Sequence, residues 1–95
     1  MSRDEQTLES QLSETVRLLM TRTGLRQVDI ARGMGVTRGA LSQRLLGNAT
    51  WRLNDVPPVA EAFGLTVCEL LSGYASLAQA NRLPPAQGSE GQTRI

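Results

Sequence analysis

Apolar residues in the first part of the chain recur at three- and four-residue steps: Leu8, Leu12, Val16, Leu19 and Met20. That spacing lines one face of a helix and predicts an amphipathic helix over about residues 7–22, stopped by Gly24. A shorter helix is expected over about 26–34, with Ile30, Ala31 and Met34 turned inward and Gly35 reversing the chain. Thr37 is a suitable N-cap for a third helix ending near Gly47. A fourth should run from Asn54 or later to about Phe63, because Pro57 and Pro58 are tolerable only in a first turn. Its core side would be Val56, Val59, Ala60 and Phe63. Thr66 then caps a fifth helix carrying Val67, Leu70 and Leu71, closed by Gly73. Beyond Tyr74 the pattern thins. Residues 75–83 are compatible with one more short helix, and from Pro84 the Pro, Gln, Gly, Ser and Glu content reads as a disordered tail.

Composition supports an all-α domain. With one Trp, one Tyr and one Phe in 95 residues, aliphatic side chains must fill the core, and Leu, Val, Ala and Met suit packed helices better than sheets. The length fits one domain, taken as residues 1–74, with 75–95 as the possible short helix and tail. No apolar run approaches the roughly 18 residues of a membrane span, and Met1 to Gln6 is polar, unlike a signal peptide. A cytoplasmic protein is the expectation. Cys68 is the sole cysteine, so an internal disulfide is impossible.

The missing residue types narrow the chemistry. Without histidine the chain lacks the commonest general base and metal ligand, and one cysteine cannot build a structural zinc site. Gly33-Met34-Gly35 lacks the further glycine and lysine of a phosphate-binding loop. A non-enzyme with no metal, cofactor or small-molecule ligand is expected. Charge is more telling in its distribution than in its total of +1. Residues 17–52 hold seven arginines against Asp29 alone, while the segments on either side are net acidic. A basic block of this kind is what a nucleic-acid footprint looks like; arginines that merely solvate helix surfaces are the alternative.

The stretch from Gln27 to Gly47 carries the functional signal. Two helices joined by a short turn must approach closely beside it. Ala31 supplies a small side chain there, Gly35 the positive φ, and Val36 an apolar plug. Leu41 and Leu45 form the inner face of the third helix; Arg38, Gly39, Ser42 and Gln43 form a polar or small outer face, free to enter a groove.

These residues resemble the Cro/CI-type (XRE-like) helix-turn-helix family. The likeness runs over about residues 8–72, through Gln27, Ala31, Gly35-Val36-Thr37, Leu41-Ser42, Gly47, then 59–65 and Glu69-Leu70-Leu71. It implies a compact five-helix bundle with the third helix (37–46) in the major groove of double-stranded DNA. It also implies transcriptional regulation, most often repression, by a nucleoid-associated protein. Thr37, Arg38, Gly39 and Gln43 match the family's base- or groove-contacting positions, and Gln27 matches a residue that bonds a backbone phosphate.

The chemistry of the side chains agrees with this. Arg38 can grip guanine O6/N7 and Gln43 adenine N6/N7, each in bidentate fashion; an ordinary solvated helix surface is the alternative for both. Ser42 shares their face. Arg26 and Arg52 are candidate phosphate clamps or plain surface charge. Arg44 departs from the family pattern: it either pairs with an acid such as Asp29 or reaches a phosphate. Leu46 either touches a thymine methyl or covers the Trp51 loop, and Trp51 itself reads as a packing residue between the third and fourth helices. A homodimer, at least on DNA, reading an inverted repeat is expected, with Leu70, Leu71, Tyr74 and Leu77 as the candidate pairing surface; completion of the core is the alternative for Leu70 and Leu71. Two other functions fit the same motif. One is the DNA-binding antitoxin of a toxin–antitoxin pair. The other is a protein-interaction module without DNA contacts, against which the basic block argues.

Overall fold

Thr7 opens the first helix, α1 (Leu8–Thr23): its hydroxyl accepts from the Ser10 amide at 3.1 Å, and the Ser10 hydroxyl accepts from the Thr7 amide at 3.0 Å. Two orphan donors of the first turn are thereby satisfied. The computed structural model describes residues 7–87, so the expectation for Met1 to Gln6 falls outside the described residues. The second helix, α2 (Gln27–Met34), ends on Gly35 at φ 77°. There the Gly35 amide donates to the Arg32 carbonyl at 3.2 Å and the Val36 amide to Ala31 at 3.1 Å. These bonds close the last turn of α2, and they need a backbone conformation that a residue with Cβ reaches only under strain. Thr37 caps the third helix, α3 (Arg38–Leu46), its Oγ1 accepting from the Ala40 amide at 3.0 Å.

Leu53–Asp55 then form one 3-10 turn that runs into α4 (Val56–Ala62), with both prolines in its first turn as their chemistry requires. The fifth helix, α5 (Val67–Ser72), starts on a reciprocal pair: the Thr66 hydroxyl accepts from the Glu69 amide, and Glu69 Oε1 accepts from the Thr66 amide at 2.9 Å.

A sixth, short helix follows, which the sequence after Tyr74 allowed and which is one more than the five-helix bundle the resemblance implies. α6 (Tyr74–Gln79) begins straight after Gly73, whose φ of 101° lets α5 and α6 join through a single residue. Gly73 is buried, and a Cβ there would come within 2.5 Å of the Gln11 side-chain nitrogen. Only glycine fits. α6 packs on α1 and α5 with Leu77 sealed in the core, so the chain beyond residue 74 belongs to the same packing unit. Among the described residues the protein is all-α, with no strand.

The core draws on every helix. Leu12, Val16 and Leu19 of α1 meet Ile30 and Ala31 of α2, Leu41 and Leu45 of α3, and Val59 and Ala60 of α4. Trp51, Phe63 and Leu65 fill in from the connections, and Leu70 and Leu77 close the far side. Each large aliphatic side chain so buried contributes about 1.5–3 kcal/mol.

Three expectations change here. Leu8, placed on the inward stripe of α1, is exposed. Leu70 and Leu77, assigned to a pairing surface, are inside the core, and Leu71 and Tyr74 are half-buried against it, because α6 folds back to cover them. The segment Pro84–Gln87 is docked: the Gln87 amide donates to the Arg22 carbonyl at 2.7 Å, and Arg22 Nε donates to the Pro84 carbonyl. The tail expectation otherwise concerns 88–95, outside the described residues. No described helix is long and apolar enough to cross a membrane.

Candidate nucleic-acid interface

α3 has two unlike sides, and the division follows from its contacts with α1 and α2. Leu41, Arg44 and Leu45 are buried against those helices. Arg38, Gly39, Gln43 and Leu46 are exposed and Ser42 is half-buried. Positions 38, 42 and 46, like 39 and 43, are a turn apart on the outer face. Thr37 is exposed at its head, with the hydroxyl oxygen engaged as the cap. Leu46 is 66 % exposed and therefore does not cover the Trp51 loop.

The starts of α2 and α3 face a common space. A surface hollow of about 560 Å³ is lined by Arg26, Gln27 and Val28 from the head of α2 and by Arg38 from the head of α3, over a floor that includes Met20 and Leu25. No carboxylate lines it. Gln27 occupies the first position of α2, where backbone N–H groups lack intrahelical partners and favour an anion. Arg52 is not in this group. It lies beside a different, apolar hollow with Leu8 and Leu53.

The arginines differ in how free they are. Arg26 and Arg32 share Asp29, at 3.6 and 3.7 Å, and both side chains remain mostly exposed. Arg17 reaches the Leu45 carbonyl and so supplies a positive charge to the C-terminal end of α3. Arg22 holds Pro84. Among the described residues, Arg38 and Arg52 have no side-chain hydrogen bond or ion pair.

Gly39 adds a second observation. It lies in the first turn of α3, and a Cβ there would find nothing nearer than the Thr37 hydroxyl at 4.0 Å. The fold itself does not require glycine, and glycine in a helix is up to about 1 kcal/mol less favourable than alanine. Its absence of side chain leaves the backbone open to close approach from outside. Gly33 on α2 has equally open surroundings.

Arg44 does not belong to this surface. It is 8 % exposed; Nε donates to Asp55 Oδ2 at 2.9 Å, and Nη1 donates to the Ala40 carbonyl at 3.1 Å. Of the two expectations for Arg44, an acidic partner such as Asp29 or a phosphate, the structure shows an acidic partner, and it is Asp55, because the 3-10 turn brings that carboxylate back over α3. The same Oδ2 also accepts from the Arg52 amide at 2.8 Å. A second buried chain of bonds runs alongside. Trp51 Nε1 donates to Ser13 Oγ at 2.8 Å, and Ser13 Oγ donates to the Arg44 carbonyl at 2.9 Å. Trp51 is thus a packing residue, tied to α1 through its indole N–H.

Ser13, Trp51 and Asp55 together position α3 against α1, and the helical pattern of apolar residues does not single them out. The only local cue is the Arg52-x-x-Asp55 spacing, which places an acceptor three residues after a turn start. Every buried side-chain nitrogen and oxygen among the described residues has a hydrogen-bond partner, and they contain no cluster of acidic and cysteine side chains able to hold a metal ion. The chain matches no family model, no curated protein and no solved structure.

Proposed function

We propose that the protein is a sequence-specific double-stranded DNA-binding regulator of the helix-turn-helix type it resembles, acting as a repressor and requiring no cofactor. The observation that carries this reading is the free Arg38 guanidinium at the head of α3, sharing a carboxylate-free hollow with Arg26 and Gln27. Arg38 and Gln43 would read base edges, with Thr37, Gly39 and Ser42 allowing α3 to lie deep in the major groove. Gln27 and Arg26 would hold a phosphate at the head of α2. One such module reads half a site, so the functional unit in this proposal is a homodimer on an inverted repeat. Its half-sites would lie about one helical turn apart.

Selection of bound duplexes from a random pool, followed by titration of the best one against random DNA, tests the proposal. Arg38→Ala is expected to lower affinity for the selected duplex by about 1–3 kcal/mol and to relax preference at one base pair. Equal losses on selected and random DNA would reject Arg38 as a base reader. No binding at low salt would reject the whole reading, since phosphate attraction is strongest there.

A further inference from the structure

Among the described residues the most exposed large apolar side chain is Leu53, 89 % exposed in the 3-10 turn between α3 and α4. Together with Leu8, Leu12, Trp51, Val56 and Leu71 it lines an apolar hollow of about 190 Å³. Leu8 is itself 58 % exposed. A leucine projecting into water next to a side-chain-sized hollow makes a knob and a hole on one face. Glu9 and Arg52 stand at the same hollow with opposite charges, and neither has a hydrogen bond or ion pair from its side chain among the described residues. Such a surface can pair with itself, because a two-fold rotation can set leucine against hollow and acid against base.

We propose that this face pairs with the same face of a second copy about a two-fold axis. Leu53 of each copy fills the other's hollow, and Glu9 of each lies opposite Arg52 of the other. The inference rests on the two-fold arrangement in the functional reading above and supplies its surface, Leu70 and Leu77 being buried within each chain. It also gives Arg52 a role away from the hollow shared by Arg26, Gln27 and Arg38. The face is small beside the roughly 1,600 Å² of a standard stable interface, so the pairing is weak and reversible in free solution.

Sedimentation equilibrium of the full chain without DNA, up to about 1 mM protein, tests this independently of any DNA reading. The wild type is expected to show a reversible monomer–dimer equilibrium. Leu53→Asp should weaken it at least tenfold and leave the thermal midpoint unchanged, because that side chain supports nothing within its own chain. Glu9→Arg and Arg52→Glu should each weaken pairing alone. An equimolar mixture of those two variants should restore it, since in the mixed pair every introduced charge faces an opposite one. A monomer at every concentration would overturn the proposal, as would a dimer indifferent to Leu53→Asp. So would a mixture that fails to restore pairing, which is the outcome if residues 1–6 or an unrelated protein cover this face.

Discussion

Removing the guanidinium of Arg44 would leave the Asp55 carboxylate buried, with the Arg52 amide donating to it at 2.8 Å. An unpaired buried charge of this kind typically costs 3–5 kcal/mol, a large part of the 5–15 kcal/mol that holds a small domain together. Arg44→Met is therefore expected to lower stability by about that amount in urea denaturation. Adding Asp55→Asn should recover much of the loss: no buried charge then remains, and the amide oxygen still accepts from Arg52. A double variant no better than Arg44→Met alone would mean that Asp55 is held by other donors. Arg38 presents the opposite case. Its side chain is exposed and partnerless, so its replacement should hardly move stability, and any effect must appear in binding.

At the scale of one element, α3 combines a cap that fits the helix with a glycine that does not. Thr37 satisfies the first turn, whereas Gly39 weakens it and is required by nothing inside the chain. Gly39→Ala is expected to raise the thermal midpoint, by up to about 1 kcal/mol in stability, and at the same time to lower DNA affinity. Gain and loss in one variant would separate a glycine kept for approach from one kept for folding. A fall in stability would show that the first turn of α3 depends on glycine after all. Orientation of the helix is a separate matter from its formation. Arg17 on the Leu45 carbonyl and Ser13 on the Arg44 carbonyl attach the far end of α3 to α1, which leaves its head free beside α2.

Across the whole molecule, the chain after Gly73 closes the bundle. Leu77 is 2 % exposed against α1 and α5, and Leu77→Ala should cost about 2–5 kcal/mol if the cavity does not collapse. An unchanged urea midpoint would place α6 outside the cooperative unit. The next clamp is ionic. Arg82 Nε donates to Glu69 Oε2 at 2.6 Å, tying the chain beyond α6 to the first turn of α5. The Arg82 hydrogen bond, helped by the Thr66 amide and the Arg82 charge, lowers the Glu69 carboxyl from 4.5 to about 2. A carboxylate with a depressed folded pKa contributes stability that is present above its unfolded value and lost as pH falls toward the folded one. Stability should therefore decline between about pH 4.5 and 2, and Glu69→Gln should flatten that decline. An identical pH profile for the variant would mean that Glu69 binds its proton equally in both states.

The sequence by itself determined the all-α class, the first five helices and the two-sided character of α3. Those features depend on local terms: apolar spacing, caps at Thr7, Thr37 and Thr66, and a left-handed Gly35 act within a turn or two of chain. It also singled out Arg38, Gly39 and Gln43, since residues a turn apart share a face whatever lies around the helix. Tertiary structure decided where distant residues meet. Arg44 found Asp55 because a 3-10 turn folds back over α3, a closure that no helical period encodes. Trp51 found Ser13 across 38 residues. Leu70 and Leu77 became core only because Gly73 lets α6 turn onto α1, and Leu53 and Leu8 stayed in water because no segment among the described residues covers them. Which arginines remain free to bind, and which are already occupied, is therefore a property of packing.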